Sequence, residues 1–291
     1  MKNKSLYLTV LVSLVVVACS TNAITGRKQL SLVSDSEMQA TAVTQYQSFL
    51  TSNKVVTSSQ SKDADMVKRV GSRIAAAVTN YYKKTGQADL SDYQWEYNLV
   101  QSDDVNAWCM PGGKIVVYTG ILPVAQNEAA LAVVVGHEVA HAVLKHGAER
   151  MSEGLVQQLG GVALSVALSN KAAETQNLFM QAYGMGSTVL GVLPHSRNQE
   201  LEADHYGLIY TALAGYNPRE AVNLWQRMEQ LSGGNKPPEF MSTHPSEQNR
   251  IAKLEELMPE ALKYYTPIVT PAPAPPAAKP TPAKPTKKKR N

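Results

Sequence analysis

The stretch that most constrains this chain is residues 136–147, Gly-His-Glu-Val-Ala-His-Ala-Val-Leu-Lys-His-Gly, inside an Ala/Val-rich run that begins near Asn127. His137 and His141 stand four residues apart, so on a helix both imidazoles leave one face and converge on one cation, with Glu138 beside them. This is the HExxH arrangement, in which two histidines hold zinc and the glutamate deprotonates the water that the metal activates. Two ordinary core or surface histidines would satisfy the spacing equally, so the rest of the chain has to supply the missing parts. A metzincin carries glycine three residues and histidine six residues after the second motif histidine. Leu144 and Gly147 occupy those places, and that class is excluded. His146 falls five residues after His141, a rotation of about 140° on a helix, which keeps it off the metal. The helix is expected to run from about Gln126 to Arg150, apolar on several faces and therefore central and buried. Gly136 would let another backbone approach it closely.

A zinc hydrolase with two histidines needs a third protein ligand and leaves the fourth position to water. Residues 196–207, Ser-Arg-Asn-Gln-Glu-Leu-Glu-Ala-Asp-His-Tyr-Gly, offer Glu200, Glu202, Asp204 and His205. Glu200 and Asp204 share a helical face at i, i+4, which suits a ligand plus a carboxylate that orients a ligating histidine. Glu202 falls on the opposite side, where a surface charge is expected.

With 291 residues, 44% of them hydrophobic, the chain can bury one sizeable core. Ser34 and Glu37 mark a helix start with a capping box. Met66, Val67, Val70, Ile74, Val78 and Tyr81 recur at helical spacing before a stop at Gly86. Between Tyr93 and Thr119 the pattern changes to three short strands, with Pro111-Gly112-Gly113 as the turn between the last two. Gly154 to Val192 reads as helices flanking the site, with a mobile cover suggested by its glycines. Asn217-Pro218 opens a further helix. The expected fold class is α+β, mainly α-helical, with a central HExxH helix and a small antiparallel sheet, whose exposed edge could take a substrate as an added strand.

The ends of the chain carry the basic character. The formal charge is +4, from 28 basic and 24 acidic residues, but six of the basic ones lie in 266–291 and two more are Lys2 and Lys4. The body is therefore net acidic, which removes the main support for nucleic-acid binding. Residues 1–18 read as an export signal, with a charged start and an apolar run from Leu6 to Val17 too short to span a bilayer. Val16-Val17-Ala18-Cys19 resembles a bacterial lipobox, implying cleavage before Cys19 and lipidation of its thiol; an ordinary signal peptide ending near Ala23 is the alternative. Residues 19–33 then form a tether, 34–265 the folded domain, and the Pro/Ala/Lys-rich stretch 266–291 a disordered tail.

His137-Glu-Val-Ala-His141 followed by Ser196-Arg197 and Glu200-Leu-Glu-Ala-Asp204 resembles the gluzincin metallopeptidases of the HtpX and CAAX-prenyl-protease type, in particular their soluble periplasmic lipoprotein branch. Thr25-Gly-Arg-Lys-Gln-Leu30, Val105 to Lys114, Leu193-Pro-His-Ser-Arg197 and His244-Pro245 support the likeness, which covers roughly residues 20–258. The resemblance implies a zincin-like fold with one zinc held by His137, His141 and Glu200, and Glu138 as the catalytic base. Asp204 would orient a ligand. It also brings in His244, which would lie near the metal and either stabilise the oxyanion or fill the open position at rest, with Arg250 holding its loop. The expected function is a zinc-dependent endopeptidase cleaving misfolded or unassembled envelope proteins, lipid-anchored to a bacterial outer membrane and facing the periplasm. The competing expectation is a chaperone-like assembly factor with a normally closed zinc site.

Overall fold

The computed structural model describes residues 19–59, 61–159, 172–183, 196–232, 239–244 and 249–268. The expected signal sequence 1–18, nearly all of the expected tail and much of the expected cover lie outside the described residues. The strands are β1 (Cys19–Thr21), β2 (Lys28–Leu30), β3 (Val55–Val56), β4 (Glu96–Val100), β5 (Ala107–Met110) and β6 (Lys114–Tyr118). The helices are α1 (Asp35–Ser52), α2 (Lys62–Thr85), α3 (Leu122–Ala125), α4 (Glu128–Val143) and α5 (His146–Leu159). They continue as α6 (Ala172–Ala182), α7 (Arg197–Leu213), α8 (Glu220–Ser232), α9 (Glu239–Thr243) and α10 (Arg250–Ala261). The class is the expected one, mainly helical α+β around a central HExxH helix.

Local chemistry sets the boundaries. Ser34 and Glu37 form the capping box at the start of α1, and Gly86, at φ 70°, ends α2. The amphipathic face of α2 buries Val67, Val70, Ile74 and Val78 against the core. Among the described residues no helix is long and apolar enough to cross a membrane.

The sheet order is β3-β4-β6-β5. The β5–β6 hairpin is antiparallel, and its turn places Gly112 and Gly113 at φ 74° and 81°, a region open to glycine. β4 and β6, however, pair parallel, with Glu96 opposite Lys114, so the sheet is mixed. The chain leaves β4, runs out to the sheet edge as β5 and turns back between the two. β5 and β3 are therefore the two edge strands of this sheet, and all four residues of β5 are buried.

The motif helix α4 is buried from Ala130 to Val143. It crosses α7 where glycine meets glycine: a Cβ on Gly136 would stand 2.8 Å from the Gly207 carbonyl oxygen, and one on Gly207 2.9 Å from the Cα of His137. Only two residues without side chains allow this approach, which brings His137 up to the carboxylates of α7.

Two features depart from expectation. The helix expected to reach Arg150 is two helices, because Lys145 adopts a left-handed φ of 61° and α5 starts anew at His146. At the break, the Leu144 carbonyl accepts hydrogen bonds at 2.9 Å from both Asn22 Nδ2 and Gln29 Nε2. The second difference follows from those contacts. Residues 19–33, expected as a tether, fold back as the β1–β2 ribbon and dock on the junction of α4 and α5.

Candidate metal centre

Four elements deliver the site. α4 is capped by Asn127, whose side chain accepts from the Ala130 N–H, and it projects His137, Glu138 and His141 into the core. α7 is capped by Ser196 and Gln199 in a second capping box and presents Glu200 and Asp204 on one face. His244 follows α9, and Arg250 opens α10. The side chains of His137, Glu138, His141, Glu200, Asp204, His244 and Arg250 are all buried.

One nitrogen or oxygen from each of His137, His141, Glu200 and His244 falls within a cluster no wider than 4.8 Å. His137 Nε2 is 3.1 Å from His141 Nε2 and 3.4 Å from Glu200 Oε2, and His141 Nε2 is 3.3 Å from Glu200 Oε1. Ligands bound at about 2.0–2.1 Å to a tetrahedral zinc stand about 3.3 Å apart. The triangle of donors therefore fits one small cation. Two imidazoles and a carboxylate gathered in a buried site are also the donor set that such a cation takes.

Around the donors lies a supporting shell. His137 Nδ1 sits 3.1 Å from Asp204 Oδ1, which directs Nε2 to the donor cluster. Arg250 Nη2 is 2.6 Å from Asp204 Oδ1 and 3.2 Å from Glu200 Oε2, and the guanidinium stacks 3.5 Å from the Trp225 ring centroid. Arg250 thus balances both buried carboxylates as well as approaching the His244 carbonyl at 3.5 Å. Glu138 Oε1 lies 3.4 Å from His244 Nε2. A cavity of about 10 Å³ between Glu138, His141, Trp108, Tyr183 and His244 has room for about one water.

Burial governs the protonation of these groups. It raises the Glu138 carboxyl to about 8, with the neighbouring Glu200 charge adding to it and His137 opposing. It lowers His244 to about 3. Burial pulls His137 down as well, but hydrogen bonding and attraction to Asp204 and Glu200 outweigh it and raise this imidazole to about 9. Burial also lowers His146, which favours its neutral form.

Of the α7 candidates, Glu200 and Asp204 join the site and two do not. His205 turns away to Glu260, at 2.9 Å on the surface. Glu202 is half-buried rather than a plain surface charge, at 2.9 Å from His146 Nε2. His146, set aside as off the metal, does not reach the donor cluster but touches its back: its Nδ1 is 2.8 Å from His141 Nδ1. The rotation that excludes it holds only for an unbroken helix, and the left-handed Lys145 resets the phase. Arg27, Glu149 and Tyr183 were not foreseen near the site either.

Fold and donor set define a zincin-like metallopeptidase centre, an HExxH helix completed by a glutamate from a second helix. The chain belongs to peptidase family M48, whose model matches residues 61–258. The mitochondrial metalloendopeptidase OMA1 of Schizosaccharomyces pombe is 37% identical over 173 residues, 59% of this chain and 49% of that protein. The human metalloendopeptidase OMA1 is 36% identical over 179 residues, covering 60% and 34%. A putative beta-barrel assembly-enhancing protease of Vibrio cholerae is 29% identical over 162 residues, covering 54% and 33%. The chain spans half or less of the length of these relatives. They also correct one expectation. A bacterial outer-membrane location facing the periplasm does not stand, because relatives from two yeasts, a plant, cattle and human are mitochondrial proteases.

Proposed function

We propose that this chain is a zinc-dependent endopeptidase that cuts extended segments of misfolded or unassembled proteins. The observation that carries it is the placement of Glu138: a buried carboxyl one residue from a ligand and lining a water-sized cavity at the donor triangle. His137, His141 and Glu200 would hold the metal, with Asp204 and Arg250 fixing their orientation. Zinc, when bound, polarises the scissile carbonyl and acidifies water. Glu138 takes the proton from the attacking water and returns it to the leaving amine, and no acyl-enzyme forms. β5, an edge strand lining the cavity through Ala107 and Trp108, would take an extended peptide only in an open form, because all four of its residues are buried here.

Of the two roles expected for His244, the geometry favours the resting-state ligand. Its Nδ1 lies 2.9 Å from the Phe240 carbonyl, so Nδ1 carries the hydrogen and Nε2 presents a lone pair toward the donors. A lone pair binds a cation and cannot donate to an oxyanion. The cavity beside His244 has room for about one water, so the arrangement is a closed one. That closed arrangement is also what the chaperone-like reading needs, and proteolysis separates the two. The substrate class draws its support from the relatives whose names concern β-barrel assembly.

The test is cleavage of unfolded casein by the purified chain and by Glu138→Gln. Loss of cleavage in the variant, and in the wild type with a zinc chelator, is expected. Equal, chelator-insensitive behaviour of both proteins would overturn the protease.

A further inference from the structure

The N-terminal segment lies outside the stretch matched by the family model, yet its polar side chains end at the back of the metal centre. Arg27 has its fork on Glu149 of α5, at 2.6 and 2.7 Å, and its remaining Nε on Glu202 of α7, at 2.9 Å. The other Glu202 oxygen meets His146 Nε2 at 2.9 Å, and His146 Nδ1 meets His141 Nδ1 at 2.8 Å. We propose that the segment Asn22–Leu30 is a positioning element of the metal centre, in which Arg27 fixes the orientation of His141 through Glu202 and His146. The proposal rests on the assignment of His141 as a metal ligand.

The protons along this path can be placed in only one consistent way. With Nε2 of His141 turned to the donor cluster, its Nδ1–H donates to Nδ1 of His146. The Nε2–H of His146 then donates to Glu202, whose second oxygen accepts from Arg27. Each group holds the tautomer and ring angle of the one before it, as partners behind ligating histidines do. An imidazole–imidazole link is weaker than the carboxylate link His137 has to Asp204, because a neutral ring has its own freedom to turn. His146 is fully buried and sits at the first residue of α5, directly after the left-handed Lys145, so its direction depends on how that break is held.

The same segment holds the break. Asn22 and Gln29 both donate to the Leu144 carbonyl, the group a continuous helix would have used internally. Tyr206 of α7 donates to the Ile24 carbonyl at 3.1 Å, and Gln199, next to the ligand Glu200, donates to Glu149 at 2.7 Å. Arg27 therefore bridges the two helices that carry His146 and Glu200, and sets the spacing between them. A segment that merely tethered the chain end would need none of its polar side chains aimed at the residues flanking the ligands.

Zinc affinity of the full chain, measured by competition with a chromogenic chelator well below the melting temperature, tests this without relying on activity. Arg27→Met and Glu202→Gln are each expected to weaken zinc binding about tenfold or more, the range seen when partners behind ligands are removed. Arg27→Lys, which restores charge but not the fork, should recover only part of the loss. The double variant Arg27→Met/His146→Leu should lose less than the two single losses combined, because both act on one path. Arg69→Met, which removes an ion pair with Glu128 at the far end of α4, is the control and should bind zinc as the wild type does. Cobalt substitution gives a second readout, since a turned His141 alters the ligand-field absorption bands even in a variant of reduced stability. Wild-type zinc binding with undiminished affinity and unchanged cobalt bands in Arg27→Met and Glu202→Gln would overturn this proposal alone. Absence of stoichiometric zinc from the wild type would overturn the metal centre, and this proposal with it.

Discussion

Replacing Gly207 with alanine tests the helix crossing on which the site depends. The added Cβ would stand 2.9 Å from both the Cα and the N of His137, where ordinary contact begins at 3.4 Å. Both atoms are backbone, so no side chain can swing aside, and α4 and α7 must separate by about 0.5 Å. That is about the tolerance within which a functional constellation has to be held. Overpacking of this kind costs about 1–3 kcal/mol, while alanine in a helix interior regains about 1 kcal/mol over glycine. The net is a loss of up to about 2 kcal/mol, or a fall in Tm of up to about 8 °C for a domain of this size. Zinc affinity should fall more sharply than stability, because the separation acts directly on the 3.4 Å gap between His137 and Glu200. The assay is calorimetry with and without zinc, paired with chelator competition. A Gly207→Ala protein that is more stable than the wild type and keeps its zinc affinity would refute the reasoning, since it would mean the crossing has slack.

Two further outcomes follow from the charges around the site. Arg250→Met removes the guanidinium from the buried Glu200 and Asp204 carboxylates and should cost about 3 kcal/mol, read as a lower urea midpoint in the zinc-free protein; a shift under 1 kcal/mol would contradict the role given to Arg250. Burial raises the Glu202 pKa, but hydrogen bonds from His146 and Arg27 outweigh it and hold the group below its ordinary value. A depressed carboxyl contributes stability that is complete above its unfolded pKa, about 4.3, and is lost as pH falls through the folded value. The stability gap between wild type and Glu202→Gln should therefore be constant from about pH 7 to 5.5 and close below about pH 4.5, by denaturant titration at each pH; a gap that widens in acid would contradict it.

The parts of the site visible in the sequence are those written at helical spacing. His137 with His141, and Glu200 with Asp204, each sit at i, i+4 on one helix, so period alone puts them on common faces. Gly136 announced a close approach, and the structure supplies its partner, Gly207, which no local pattern marks. His244 is known only through resemblance and packing, because it comes from a separate segment more than a hundred residues downstream in the chain. His146 does stay off the metal, but its contact with His141 and the partial burial of Glu202 were hidden for one reason. Both residues were judged on ideal, isolated helices, whereas the first follows a left-handed lysine and the second faces the N-terminal ribbon instead of solvent. A lysine at φ 61° carries no glycine-like signal, and Arg27 reaches Glu202 across 175 residues of sequence. The parallel pairing of β4 with β6 was similarly hidden, since strand direction depends on where β5 inserts and not on the strands' own alternation.

The central claim is that His137, His141 and Glu200 hold one zinc beside Glu138. Zinc-edge X-ray absorption of the purified full chain, with metal content measured on the same sample, tests it most directly. One zinc per chain is expected, with four nitrogen or oxygen neighbours at about 2.0–2.1 Å and an imidazole outer-shell pattern. The same spectrum is expected for Glu138→Gln, whose side chain is not a ligand. Sulfur at about 2.3 Å, or a chain that holds no stoichiometric zinc after mild purification, would contradict it.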